Sequence, residues 1–209
     1  AIPHRDILEG RLTMEVFAAD LWEVAQNRGP EEYRDASTFF RKTYLTENLK
    51  ALLTGVEKRL KGEEGDSVIQ LQTPFGGGKT HSLIALYHKA KEWGVKTAVV
   101  VGTAPSAEND TLWGLIEKQL TGEIKNFGGK VAPGRDALRK LFEPHQPLLI
   151  LMDEIHEYTV RAAGVMVEGK STLADQTIAF LQELTEVAGT LPQLCLLFSL
   201  PASLMDHTS

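Results

Sequence analysis

From Ser67 onward, short apolar runs alternate with helical patterns, and this alternation constrains the chain more than any other feature. "SVIQLQT" (67 to 73), "KTAVVVG" (96 to 102), "PLLILMD" (147 to 153) and "QLCLLFS" (193 to 199) read as strands. Between them lie helical patterns: one ending in Gly94, one over 110 to 121, and one over 172 to 188 with Leu173, Thr177, Phe180, Leu181, Leu184 and Ala188 on its inner face. Strands and helices in turn imply right-handed crossovers and a mainly parallel sheet covered on both faces. The expected fold class is α/β, a three-layer α/β/α sandwich.

Before residue 62 the patterns are helical only. Leu12, Val16, Ala19 and Val24 fall near helical spacing, and Thr46 stands as an N-cap before a face of Leu49, Leu52, Leu53, Val56 and Leu60. The polar stretch "KGEEGD" (61 to 66) ends that helix. The expected division is a helical region over 1–62 and an α/β core over 63–209 that stops before a last strand and lid.

The first strand runs into "TPFGGGKTH" (73 to 81), which follows the phosphate-loop pattern G-x-x-x-x-G-K-[ST] except that Thr73 replaces the first glycine. Gly76, Gly77 and Gly78 can take backbone angles closed to other residues, so their N–H groups can converge on a phosphate. The helix N-terminus behind them adds partial positive charge. Lys79 is expected to reach the β- and γ-phosphates, and the Thr80 hydroxyl to hold Mg²⁺. Phe75 and His81 flank the cradle and complete the expected nucleotide contacts. Thr73 is tolerable there, because Pro74 already fixes the exit from the strand.

"LLILMDEIHEY" (148 to 158) ends a strand in Asp153, which puts a carboxylate at the sheet's C-terminal edge, where it can bind Mg²⁺ through water. Glu154 follows directly and can polarise an attacking water, which hydrolysis needs and transfer to a small acceptor does not. In phosphate-loop proteins with a catalytic glutamate, which this pairing of motifs resembles, the fourth strand lies between the loop strand and the Asp-Glu strand, so Ser199 at its end is expected to face the γ-phosphate. A plain strand-capping hydroxyl fits Ser199 equally well. Cys195, in mid-strand, reads as a buried apolar residue. His81, His88 and His156 show no metal-ligand spacing and read as packing or solvent-facing residues. "DEIH" resembles the DExH box of superfamily 2 helicases, but "VGTAPSAEND" lacks their basic DNA-contacting motif and the chain has no room for a second RecA-like domain.

Composition excludes several classes. The 43% hydrophobic content argues against disorder, and no apolar run approaches the roughly 20 residues of a membrane-spanning helix. A single cysteine and the lack of a signal-type N-terminus point to the cytoplasm. A formal net charge of -6 gives no global attraction to a phosphate backbone. The best local patch for nucleic acid runs from Glu117 to Lys140, with six basic residues against three acidic ones; it reads more readily as a solvated helix end and a mobile loop than as a nucleic-acid surface.

With these residues in place, the chain resembles the AAA+ superfamily of P-loop NTPases, the ATPases with a catalytic glutamate. More closely it is similar to the N-terminal part of large prokaryotic ATPases of the DUF499 type. The resemblance rests on "FAADLWEV" (17 to 24), "FFRKTYLTENLKALL" (39 to 53), "PFGGGKTHSLIALYH" (74 to 88), "DEIHEY" (153 to 158) and "SLPAS" (199 to 203). It implies ATP and Mg²⁺ as ligands, and a DNA-associated defence or modification complex as the setting. It also implies an arginine finger from a neighbouring subunit or partner, since Arg161 and Lys170 are the only basic residues after Asp153 and both fall in an expected loop, "TVRAAGVMVEGKS". A piece lacking finger and lid is expected to bind nucleotide better than it turns it over. The alternative is a nucleotide-gated scaffold or switch with negligible hydrolysis.

Overall fold

A computed structural model describes residues 19–72 and 78–199. The expected positions Leu12, Val16, Thr73, Phe75, Gly76 and Gly77, and all of "SLPAS" after Ser199, lie outside the described residues.

Among the described residues four helices come first: α1 (Leu21–Ala25), α2 (Glu31–Arg34), α3 (Ala36–Lys42) and α4 (Glu47–Leu60). Side-chain caps fix their starts. Asp20 accepts from Trp22 N at 2.9 Å, Asp35 from Thr38 N at 2.9 Å, and Thr46 from Leu49 N at 3.1 Å, each filling a donor the first turn leaves open. α4 ends where Gly62 takes φ 80°, a left-handed value that glycine adopts without a Cβ penalty.

The core follows as β1 (Val68–Leu71), α5 (Gly78–Glu92), β2 (Lys96–Val101), α6 (Leu112–Thr121), α7 (Arg135–Phe142), β3 (Leu148–Asp153), α8 (Ile155–Ala162), β4 (Met166–Val167), β5 (Ser171–Thr172), α9 (Leu173–Thr190) and β6 (Leu194–Ser199). The large sheet is parallel throughout, in the order β1-β6-β3-β2. β6 therefore lies between β1 and β3, as expected for the fourth strand.

Both faces of the sheet are apolar because the strands are buried on both sides. Ala98, Val100, Ile150, Met152 and Leu196 turn to a layer of α6, α7, α8 and α9. Val99, Val101, Leu149, Leu151, Cys195 and Leu197 turn to α5 and to the N-terminal helices, through Leu21, Phe39, Leu53, Val56 and Leu60. One hydrophobic core thus runs across residue 62. Each fully buried leucine in it contributes about 1.5–3 kcal/mol. Arg59 ties the same junction: its guanidinium donates to Leu194 O at 3.0 Å, Ala188 O at 3.1 Å and Leu191 O at 2.7 Å, at the end of α9 and the entry to β6.

Two segments depart from expectation. The stretch 159–171 is not one loop: Thr159–Ala162 close α8, and β4 and β5 then pair as an antiparallel hairpin. α8 lacks a side-chain cap and is short, so only Ile155, Tyr158 and Ala162, spaced for one face, signal it. The segment after α6 is not a loose loop either. The buried Glu117 carboxylate accepts from the backbone N–H groups of Lys125 at 2.6 Å, Asn126 at 3.0 Å and Phe127 at 3.1 Å. Trp113 Nε1 donates to Gly129 O at 2.9 Å and Ala132 N to Gln176 at 2.9 Å. Arg135 opens α7 and pairs with Glu183 at 3.3 Å and with Glu186, so part of the basic stretch is neutralised within the fold.

Candidate functional site

The C-terminal ends of β1, β6 and β3 form one edge of the sheet, and α5 rises from Gly78 beside it. Leu71 pairs with Ser199, and Asp153 with Val101, so the last residues of four strands lie level. This register, together with the start of α5, brings three polar side chains together. Thr80 Oγ1 donates to Asp153 Oδ2 at 2.7 Å, and Ser199 Oγ donates to Asp153 Oδ1 in a very short contact. Asp153 is 4% exposed and Ser199 3% exposed. A buried carboxylate would be costly alone; here each oxygen has a hydroxyl donor. Lys79 is half-buried in the first turn of α5, next to this cluster.

Glu154 stands beside the cluster with a different backbone. Its φ of 53° places it in the left-handed region, where a residue other than glycine is uncommon. The turn is tight: a Cβ on Gly102 would sit 1.8 Å from Glu154 O, and Gly102 N donates to Asp153 O at 2.8 Å. Thr103, just past β2, reaches Glu154 Oε2 at 3.4 Å. Burial, and then the charge of Asp153, raise the Glu154 carboxyl above its usual range. Thr103 and Gly102 were not foreseen. The glycine ending "KTAVVVG" was the one available signal, and it acquires meaning only once β2 and β3 are neighbours.

His81 turns away from this cluster, toward the N-terminal helices. Its Nε2 lies 3.0 Å from Thr43 Oγ1 and its ring stacks at 4.7 Å from Phe39, and burial lowers its pKa. His88 is a packing residue, 5% exposed, with Nε2 donating to Tyr33 O at 2.7 Å. His156 Nδ1 is buried without a hydrogen-bond partner among the described residues. Arg161 is engaged within the fold: its guanidinium donates to Gly102 O in a very short contact and to Glu157 O at 3.2 Å. Tyr158 fixes α8 by donating to Asp110 O at 2.6 Å, and burial pushes its hydroxyl up to about 12. Cys195 is a buried free thiol, pushed up to about 12 by burial, as befits an apolar core position.

The arrangement suits a hydrated divalent cation held by one carboxylate and one hydroxyl. Among the described residues no three His, Cys, Asp or Glu side chains converge as an all-protein cage. Mg²⁺ commonly binds through one or two carboxylates, waters and substrate phosphates, so Thr80 and Asp153 fit its demands. Among the described residues no helix is long and apolar enough to cross a membrane.

No curated protein matches the chain. The family model described as the DUF499 N-terminal domain matches residues 4–104, a span that takes in the N-terminal helices, β1, the glycine-rich loop, α5 and β2 and stops short of Asp153, Glu154 and Ser199. Over those residues the chain is similar to the DUF499 family.

Proposed function

We propose that this chain is the nucleotide-binding core of an AAA+-type P-loop ATPase, which uses ATP and Mg²⁺ to drive conformational change in a larger complex. The observation that carries this reading is the convergence of Thr80, Asp153 and Ser199 beside Lys79 at one end of a parallel sheet. In it, Lys79 and the loop from Phe75 to Gly78 hold the phosphates, and Thr80 and Asp153 hold Mg²⁺. Bound Mg²⁺ would neutralise phosphate charge. Glu154, projecting from the next position, takes a proton from the attacking water, and Ser199 senses the γ-phosphate. Self-association or a partner subunit supplies the arginine finger, and DNA is met through the full-length complex.

A nucleotide-gated switch with negligible hydrolysis is favoured by one observation: the Arg161 guanidinium is engaged within the fold, donating to Gly102 O and Glu157 O. Calorimetric titration with a non-hydrolysable ATP analogue and Mg²⁺, beside Lys79→Ala, tests both readings. Binding lost in the variant supports a working cradle; a folded chain that binds nothing sinks the proposal. Turnover that Glu154→Gln abolishes with binding intact separates the ATPase from the switch.

A further inference from the structure

Thr80 and His81, neighbours in the first turn of α5, reach different parts of the chain. Thr80 bonds Asp153 at 2.7 Å, within the polar cluster. His81 turns to the N-terminal helices, where its Nε2 lies 3.0 Å from Thr43 Oγ1 and its ring packs 4.7 Å from Phe39 and edge-on to Tyr33 at 6.4 Å. Two helical turns further along α5, His88 donates to Tyr33 O at 2.7 Å and places its ring 5.4 Å from the same Phe39. Lys89 lies over the Phe40 ring at 4.9 Å. One helix thus carries the start of the candidate phosphate site and, with the residues that follow, grips α2 and α3.

The gripped segment is lightly buried. Among the described residues α2 buries no side chain and α3 buries only Phe39. Helices of four and seven residues are unstable by themselves, so α2 and α3 owe their order to docking on the core. Segments with few buried apolar contacts open at low free energy and supply the elements that move when a ligand binds elsewhere. We infer that α2 and α3 are a nucleotide-responsive element, fastened through the His81–Thr43 contact when a ligand fixes the first turn of α5. The inference rests on the nucleotide reading of Lys79 and Thr80 and gives that site an output. Occupancy is felt at the outer surface of α2 and α3, where Arg34, Ser37 and Arg41 are exposed, and at Tyr44, 85% exposed and next to Thr43. Ligand binding and docking of the segment favour each other, because coupling between two sites is reciprocal.

The test is hydrogen–deuterium exchange of the 209-residue chain, read by mass spectrometry with and without Mg²⁺ and a non-hydrolysable ATP analogue, beside calorimetry of the same samples to establish occupancy. The analogue is expected to slow exchange of residues 31–42 about fivefold or more, the lower scale of coupling between sites. Thr43→Val removes the hydroxyl and keeps the volume; it is expected to bind the analogue and to lose most of that protection. Thr43→Ser keeps the hydroxyl and is expected to restore it. Binding by the wild type without any change over 31–42 would overturn the inference and leave the phosphate cradle standing. Equal protection in Thr43→Val and wild type would overturn it too, since the effect would not pass through His81. The wild-type comparison needs no variant, so a failure of Thr43→Val to fold leaves it decisive. No binding by the folded wild type would remove the nucleotide reading and this inference together.

Discussion

Thr80 Oγ1 and Asp153 Oδ2 lie 2.7 Å apart, hydrogen-bonded across 73 residues of chain. The bond holds the first turn of α5 to the end of β3 and keeps the two oxygens side by side. Thr80→Ala is expected to weaken Mg²⁺-dependent binding of an ATP analogue about tenfold or more, and to change binding in EDTA little. Paired titrations with and without Mg²⁺ measure this. An equal loss in both conditions would place Thr80 outside the metal site.

Gly102 leaves no room for a side chain. Its Cβ would meet Glu154 O at 1.8 Å, backbone that cannot swing aside as a side-chain tip could. Gly102→Ala is expected to cost at least about 2 kcal/mol in urea unfolding, at the upper end of overpacking effects. It should also shift Glu154 and lower turnover. A stability within about 0.5 kcal/mol of wild type would show that the ends of β2 and β3 are looser than described.

Arg59 holds three carbonyl oxygens where α9 gives way to β6. Hydrogen bonds from a charged donor contribute about 1.5–3 kcal/mol, and removing the donor leaves those carbonyls short of a partner. Arg59→Ala is expected to lower unfolding stability by about 2 kcal/mol, and Arg59→Lys to restore only part, because an ammonium cannot span the same fork. Urea titration at fixed pH reads both. Full recovery in the lysine variant would show that charge, not geometry, is what matters.

His88 makes stability depend on pH. Burial among aromatic rings lowers its pKa in the folded chain, so the unfolded chain binds the proton more readily. Its contribution is complete above the unfolded value, about 6.5, and is lost as pH falls below it. His81 shifts in the same direction. Urea midpoints should therefore fall between pH 7 and pH 5.5, and His88→Phe should flatten part of that fall. An unchanged slope in the variant would assign the dependence to other groups.

Period and punctuation in the sequence determined much of this protein. The four strands of the large sheet, the parallel order that follows from crossovers, the cap at Thr46 and the end of α4 in "KGEEGD" are local or near-local facts, since side-chain alternation and backbone sterics act within a few residues. The glycine-lysine-threonine run, Asp153, Glu154 and Ser199 were legible because each ends or follows an apolar strand. α7 and α8 escaped because helices of eight residues hold only two turns of pattern, too few to outweigh their charged composition.

Only the tertiary structure decided which of these residues meet. Asp153 and Ser199 share a hydrogen bond because β6 inserts between β1 and β3, and Gly102 matters because β2 brings it against Glu154. It likewise decided that the helices before residue 62 share one core with the sheet and present Tyr44 beside Lys79. Such relationships arise from packing between segments far apart in the chain, where hydrophobic burial is non-directional and leaves no period in the sequence to read.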